Sequence, residues 1–303
     1  IYWYRISAYN EVATSLYSNI AGATAADGNT ASYLQQAPGG ASKLVNLSAR
    51  AIPGQGDKAL IVGFVVSGGK RTVLLRAVGP GLARYTTETT MPDPLLTVQA
   101  GNVTIWQNDN WGGGDTLTAA FSQLGAFSIP SNSEDAALLA DFDPRDDTVL
   151  ITGAGSGLAM AEIYDADVTT TLSGKLLNLS ARAQTGTGDG VLIVGFVITG
   201  SKSLRVLLRA AGPSLAALGV PGVLADPQLD LFRGSLQLDH NDDWRGAATI
   251  SAAFEPAGAL RWSDLGSKDA AIVASLPPGP YTAIISGVRA GTGVALAEVY
   301  ALP

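Results

Sequence analysis

The 303-residue chain contains no cysteine. That excludes a disulfide framework, a thiolate zinc site and a cysteine nucleophile. Charge is scarce as well: 15% of residues carry it, and Asp plus Glu (26) outnumber Lys plus Arg (19) for a net charge of −7. The net charge and the lack of a basic stripe disfavour nucleic acid and anionic membrane as partners, since both need clustered Lys and Arg. No apolar run approaches the roughly 18 to 20 residues of a membrane-spanning helix. The opening IYWYRISAYN lacks the layout of a signal peptide, so an exported protein is expected to carry its signal upstream of this segment. What the chain has instead is 47% hydrophobic residues with 36 Gly and 15 Pro, the composition of many short strands joined by tight turns.

The chain repeats itself. KLVNLSARA from Lys43 returns as KLLNLSARA from Lys175, and GDKALIVGFVVSG from Gly56 returns as GDGVLIVGFVITG from Gly188. Further pairs follow in the same order: VLLRAVGPGL and VLLRAAGPSL, NDNW and NDDW, SEDAALLA and SKDAAIVA, LAMAEIY and VALAEVY. The offset drifts from 132 to 136 residues between the first and last of these blocks, which places the insertions in loops. The organisation read from this is a segment 1–24, a linker 25–42, a first repeat 43–167, a connector 168–174 and a second repeat 175–303. Units of this size exceed solenoid repeats and are expected to sit as separate beads.

Within each repeat the apolar segments are about a strand long, several alternate, and turn compositions such as SGGK, GPG and DPRDD bound them. DTLTAAFSQLGAF is expected to form a short helix. The expected fold class is all-β: two tandem β-sandwich or jelly-roll domains of about eight strands each, preceded by a β-hairpin. That hairpin resembles the last two strands of a fibronectin type III domain, with Tyr2, Tyr4, Arg5, Ala8, Tyr9 and Asn10 on the first strand and Ser15, Tyr17, Ser18 and Asn19 on the second. An isolated hairpin is marginal in water. Two arrangements stay open: packing on its own chain, or strand addition to another copy.

Residues 148–165, TVLITGAGSGLAMAEIYD, are similar to the glycine turn that opens short-chain dehydrogenases. The second copy, TAIISGVRAGTGVALAEVY, keeps strand, turn and strand but loses the glycine constellation, and no Tyr-x-x-x-Lys follows. The reading is therefore a glycine-rich hairpin turn rather than a cofactor loop. The single histidine, His240, is matched by Gln107 in the first copy, which excludes a histidine base common to both.

The shared feature closest to chemistry is Asp-Pro followed by Asn-Asp-Asn/Asp-Trp. It comprises Asp93, Asn108, Asp109, Asn110 and Trp111 in the first repeat, and Asp226, Asn241, Asp242, Asp243 and Trp244 in the second. Hard oxygens converging from neighbouring loops suit Ca²⁺; the alternative is an Asx-rich turn whose side chains bond their own backbone. Trp111 and Trp244 either stack on a sugar ring or plug the core. Arg50/Arg182 and Arg76/Arg209 recur and could pair with Glu162/Glu298 across strands. Asn46, Asn178 and Asn102 match a glycosylation acceptor formally and are read as strand and turn residues.

DPQLDLF, NDDW and PPGPYTAIISG in the second repeat resemble bacterial pre-peptidase C-terminal sandwiches, some relatives of which bind calcium. The first repeat departs from that pattern, with Asn110 in place of an acid and DFDPRDDTVLITG in place of PPGPYTAIISG. The tandem as a whole resembles repeats at the ends of long fibronectin-containing secreted bacterial proteins. The resemblance implies a non-catalytic extracellular or cell-surface module for assembly or attachment, with other copies of itself as partners through β-strand addition. The alternative is a calcium-dependent carbohydrate-binding module, with extracellular polysaccharide as partner.

Overall fold

The computed structural model describes residues 2–6, 19–23, 41–167 and 174–303. It is all-β, with two antiparallel eight-stranded sheets packed face to face. The first repeat supplies β3 (Lys43–Ala51), β4 (Leu60–Ser67), β5 (Arg71–Val78), β6 (Asp93–Ala100), β7 (Val103–Asn108), β8 (Ala136–Phe142), β9 (Asp146–Ala154) and β10 (Ala159–Asp165). The second supplies their counterparts β11 (Lys175–Thr185), β12 (Leu192–Thr199), β13 (Leu204–Ala211), β14 (Pro227–Arg233), β15 (Leu236–Asn241), β16 (Ala270–Leu276), β17 (Gly279–Gly287) and β18 (Gly293–Ala301). Ahead of them β1 (Tyr2–Ile6) and β2 (Asn19–Ala23) pair antiparallel as a sheet of their own. Ala8, Tyr9 and Asn10, expected on the first strand of that hairpin, and Ser15, Tyr17 and Ser18, expected on the second, lie outside the described residues, as do residues 25–40 of the linker 25–42.

Two separate beads are not what these strands make. One sheet runs β15-β14-β17-β12-β3-β10-β5-β8 and the other β16-β13-β18-β11-β4-β9-β6-β7, so each repeat contributes a four-stranded half to both sheets. The halves join where β12 pairs with β3 and β11 pairs with β4. The physical reason lies in β3, β4, β11 and β12 themselves. Leu47, Val62 and Phe64 of one repeat, and Leu179, Val194 and Phe196 of the other, point between the sheets and are at most 1% exposed. Left as sheet edges these strands would offer unpaired N–H and C=O groups beside apolar side chains; pairing across the repeats satisfies both. One apolar cluster consequently runs between the sheets through both repeats. Each fully buried Leu or Phe in it contributes about 1.5–3 kcal/mol.

Helices cover the outer faces. α1 (Asp115–Leu124) lies over β8 on the outside of one sheet, while α3 (Ala248–Ala257) lies over β13 and β16 on the outside of the other; α2 (Pro213–Ala216) is a single turn. α1 buries Ala120, Phe121 and Leu124 and α3 buries Ile250, Ala253 and Phe254, one stripe each. Both stop at a left-handed glycine, Gly125 (φ 68°) and Gly258 (φ 67°), whose N–H groups return to carbonyls of the last turn.

The segment after Thr148 is also corrected in detail. β9 belongs to one sheet and β10 to the other, so the glycine-rich turn between them is an arch across the sandwich rather than a hairpin. Gly153 (φ 152°) lies against β6, where a Cβ would fall 2.1 Å from the Asp93 carbonyl oxygen. Only glycine fits that approach.

Candidate functional site in the NDNW and NDDW loops

Each loop closes the outer end of the sandwich. β7 ends in Asn108 and β15 in Asn241, and both asparagines use both ends of their amide. Asn108 Oδ1 accepts the Ala137 N–H of β8 at 3.0 Å, and its Nδ2 donates to the Asn110 carbonyl at 3.0 Å. Asn241 repeats this with the Ala271 N–H of β16 (3.0 Å) and the Asp243 carbonyl (3.2 Å). Because β7 and β8 lie in different sheets, as do β15 and β16, each asparagine ties the sheets together while holding its own turn.

Trp111 and Trp244 follow. Their backbone N–H groups donate to the carbonyls of Asp135 and Asp269, both at 2.9 Å, and their rings turn inward under the helices. Trp111 packs against Phe121 of α1, with 5.2 Å between ring centroids; Trp244 packs against Phe254 of α3 (5.7 Å) and Trp262 (5.4 Å). Exposure is 6% for Trp111 and 1% for Trp244. Neither ring offers a face to a sugar: these tryptophans plug the space beneath a helix, which corrects the stacking role.

The acids do not gather into a cage. Asp109, Asn110 and Asp242 are exposed, and Asp93 and Asp226 are half-buried at the starts of β6 and β14. Asp243 is held by Lys268 at 2.9 Å and Arg245 at 3.3 Å; the Lys268 hydrogen bond, more than any other contact, keeps its carboxyl below the usual carboxylate range. Among the described residues no three His, Asp or Glu side chains come close enough to share a metal ion. The two asparagine oxygens are occupied. As placed, these residues do not fit a calcium cage, so no chemistry is routed through one.

Two buried polar centres beneath the loops went unread in the sequence or were read only as pairs. The carboxylate of Asp135, fully buried, accepts the N–H groups of Gly79 (2.7 Å) and Gly81 (3.0 Å) and the Ser133 hydroxyl. Asp269 does the same for Gly212 (2.7 Å), Ser214 (3.2 Å) and the hydroxyls of Ser214 and Ser267. The shared G-P-G/S-L and S-x-D blocks are thus one device: a turn whose buried N–H groups are capped by a buried acid just ahead of the neighbouring strand. Its signal was the co-occurrence of both blocks in both repeats.

The second centre confirms the Arg–Glu guess for one pair of arginines. Arg76 sits opposite Glu162 on β5 and β10, Nε to Oε2 2.9 Å; Arg209 sits opposite Glu298 on β13 and β18, Nη2 to Oε2 2.8 Å. Each guanidinium lies under two rings, Phe121 (4.6 Å) and Phe127 (4.4 Å) for Arg76, Phe254 (5.0 Å) and Trp262 (4.4 Å) for Arg209. Tyr164 and Tyr300 donate their hydroxyls to the same glutamates. Burial, followed by the charge of Glu298, pushes the Tyr300 hydroxyl far above its ordinary pKa. Arg50 departs from the guess: it crosses to the second repeat and donates to the Asp189 carbonyl at 3.3 Å. Arg182 stands opposite Leu296, two residues from Glu298.

No protein-family model matches the chain, and no curated protein matches it. Among solved structures it is similar to PNGF-II at 11% identity in two crystal forms, with TM-scores of 0.21 and 0.22. The alignment covers 99% of this chain and 65% of the PNGF-II chain. Vicilin from hazelnut, Corylus avellana, aligns at 6% identity and a TM-score of 0.17, over 85% of this chain and 78% of its own. Similarity this low carries no conclusion about fold or site.

The outer sheet edges are the remaining exposed feature. β7 and β15 each pair on one side only, and they show Val103, Trp106, Leu236 and Leu238 to solvent. Both edges carry a β-bulge, at Val98/Gln99 on the β6–β7 pair and at Leu231/Phe232 on the β14–β15 pair. β15 adds Asp239 and His240, the latter 2.7 Å from Asp230, whereas β7 has no charge. The histidine is therefore an exposed edge residue with a carboxylate neighbour.

Proposed function

We propose that this chain is a non-catalytic structural module of a larger secreted bacterial protein, extracellular or at the cell surface, serving assembly or attachment. One observation carries the reading: most polar and aromatic residues shared by both repeats are engaged internally, and the shared acids that face solvent, Asp109 and Asp242, do not gather into a site. Asn108/Asn241 clasp sheets, Asp135/Asp269 cap turns, Arg76/Arg209 pair with Glu162/Glu298, and Trp111/Trp244 fill the space under the helices. A site kept for binding or catalysis would retain some of its repeated groups unsatisfied and facing solvent. Fusion of the repeats into two shared sheets further suits a stiff spacer, because one apolar core runs through both.

Association with other copies would run through strand edges. β1 and β2 stand outside the two large sheets, and β7 and β15 end them with unpaired backbone and apolar side chains. The test is electron microscopy and light scattering of the chain with and without residues 1–24. Polymers that disappear on removal of those residues support edge-driven assembly; separate particles in both preparations sink it.

A further inference from the structure

The seam between the repeats is built twice in the same way. On one sheet Lys175, Leu176, Asn178, Leu179, Ser180, Ala181 and Arg182 of β11 face Ser67, Val66, Val65, Phe64, Gly63, Val62 and Ile61 of β4. On the other, Lys43, Leu44, Asn46, Leu47, Ser48, Ala49 and Arg50 of β3 face Thr199, Ile198, Val197, Phe196, Gly195, Val194 and Ile193 of β12. Moving the β3 residues of the second set on by 132 positions and its β12 residues back by 132 gives the first, pair for pair, including the bulge at Val45 and its counterpart Leu177. A surface on which residue i meets j and j meets i is the mark of a two-fold, self-complementary contact.

The sequence agrees. KLVNLSARA and KLLNLSARA differ only at the bulge, and LIVGFVVS and LIVGFVIT differ only in their last two residues. Blocks outside the seam, such as VLLRAVGPGL and VLLRAAGPSL, are kept as well, while positions beside them change outright, with Arg71 matched by Leu204 and Asp147 by Tyr281. Gly63 shows why the seam tolerates so little change: a Cβ there would fall 2.7 Å from Ser180 Oγ on the opposite repeat. Each repeat therefore carries both halves of one contact.

The covalent link does not confine that contact to one chain. Its two ends meet at a single side chain: Arg71 donates to the Asp167 carbonyl at 3.2 Å, and Gly174 lies against the Arg71 side chain, where a Cβ would come within 2.7 Å of Cδ. The six residues between could reach about 20 Å if extended, so the connector has length to spare over what its closed ends require.

We propose that two copies of this chain exchange repeats through the β3/β4–β11/β12 seam, the first repeat of one seating on the second repeat of the other. The proposal goes beyond the assembly reading above, which rests on residues 1–24 and the outer edges. Every contact of the seam is preserved in the exchanged dimer; what changes is the entropy of linking, so concentration decides between the two forms.

The absence of cysteine makes the test clean. Ser67 and Lys175 stand opposite each other at the accessible end of the seam, within reach of a disulfide. The double variant Ser67→Cys with Lys175→Cys should close an intrachain bond. The two single variants, unfolded together and refolded at high concentration, should give a covalent heterodimer joining position 67 of one chain to 175 of the other. Tenfold dilution before refolding should lower its ratio to monomer about tenfold. If the double variant closes while the mixed single variants stay monomeric at every concentration, exchange is wrong. If the double variant fails to close, the seam itself is wrong. Heterodimer without polymer overturns only the edge-driven reading, and polymer without heterodimer overturns only exchange.

Discussion

The two outer ends of the sandwich share a frame and differ in charge. In both, an asparagine clasps the sheets, a tryptophan plugs the helix layer and a buried aspartate caps the G-P turn. Around that frame the second end is neutralised: Lys268 and Arg245 hold Asp243, and Ser214 adds a hydroxyl to Asp269. The first end has Glu134, Gly112 and Gly81 at those three positions, and the uncharged Asn110 where the second has Asp243. What is exchanged at these ends is thus mainly solvated charge, and what both keep are the buried hydrogen bonds of Asn108/Asn241 and Asp135/Asp269. That ordering follows from energetics: surface pairs contribute roughly 0–1 kcal/mol, whereas a buried polar group left unpaired costs about 1–3 kcal/mol.

The largest test of this comparison removes the buried glutamates. Glu162→Ala leaves Arg76 uncompensated where it is fully buried, and Glu298→Ala does the same to Arg209. Each should cost about 3–5 kcal/mol, Glu162→Ala more, because the Glu298 side chain keeps 9% of its surface in water. Since one core runs through both repeats, urea titrations of either variant should show one transition by both tryptophan fluorescence and far-ultraviolet circular dichroism. Two separated transitions would mean the repeats unfold independently and would break the fused description.

A smaller difference should separate the tryptophans. The Trp111 indole N–H donates to the Pro130 carbonyl at 2.9 Å, whereas that of Trp244 is buried with no partner among the described residues. Trp111→Phe should therefore cost about 1 kcal/mol more than Trp244→Phe, read from paired urea midpoints. Equal losses would place the Trp244 N–H in a hydrogen bond.

Asp147 supplies a pH test where the repeats differ outright, since Tyr281 occupies its place in the second copy. Burial pushes its carboxyl above the ordinary value, opposed by Arg145 at 2.8 Å. The folded protein therefore keeps this proton to higher pH than the unfolded chain does. Stability from the group grows as pH falls through its folded pKa and is lost above it. The Tm of Asp147→Asn minus that of the parent should shrink from about pH 7 to about pH 4; a difference that widens on acidification would reverse the assignment. The smallest effect is expected from calcium. With the loop oxygens engaged or dispersed, adding Ca²⁺ or a chelator should leave Tm unchanged, and a rise on Ca²⁺ addition would restore these loops as metal-site candidates.

Much of this was legible in the residues, for identifiable reasons. Strand and turn chemistry are local, so LIVGFVV, VLLRAV and AMAEIY declare themselves, and the doubled blocks offer Glu162 and Glu298 two pairs of arginines, of which the structure selects Arg76 and Arg209. The role of Asn108 was legible only by half: an Asx turn is visible in NDNW, but its second bond, to Ala137, spans 29 residues and two sheets. Trp111 could be a plug or a platform in sequence, and only the position of α1 decides. Asp135 was unreadable as a cap because the N–H groups it serves lie more than 50 residues away.

The sequence by itself determined the all-β class, the duplication, the strand segments and the loss of any dinucleotide loop, since each depends on side-chain alternation, glycine placement or comparison of the copies. Only the tertiary structure decided that the copies do not stand apart. Edge-to-edge pairing is made by backbone groups every strand possesses, so nothing in LIVGFVVS or KLLNLSARA names its neighbour. The choice is fixed by which edges can be paired and buried together, and here those edges belong to different repeats.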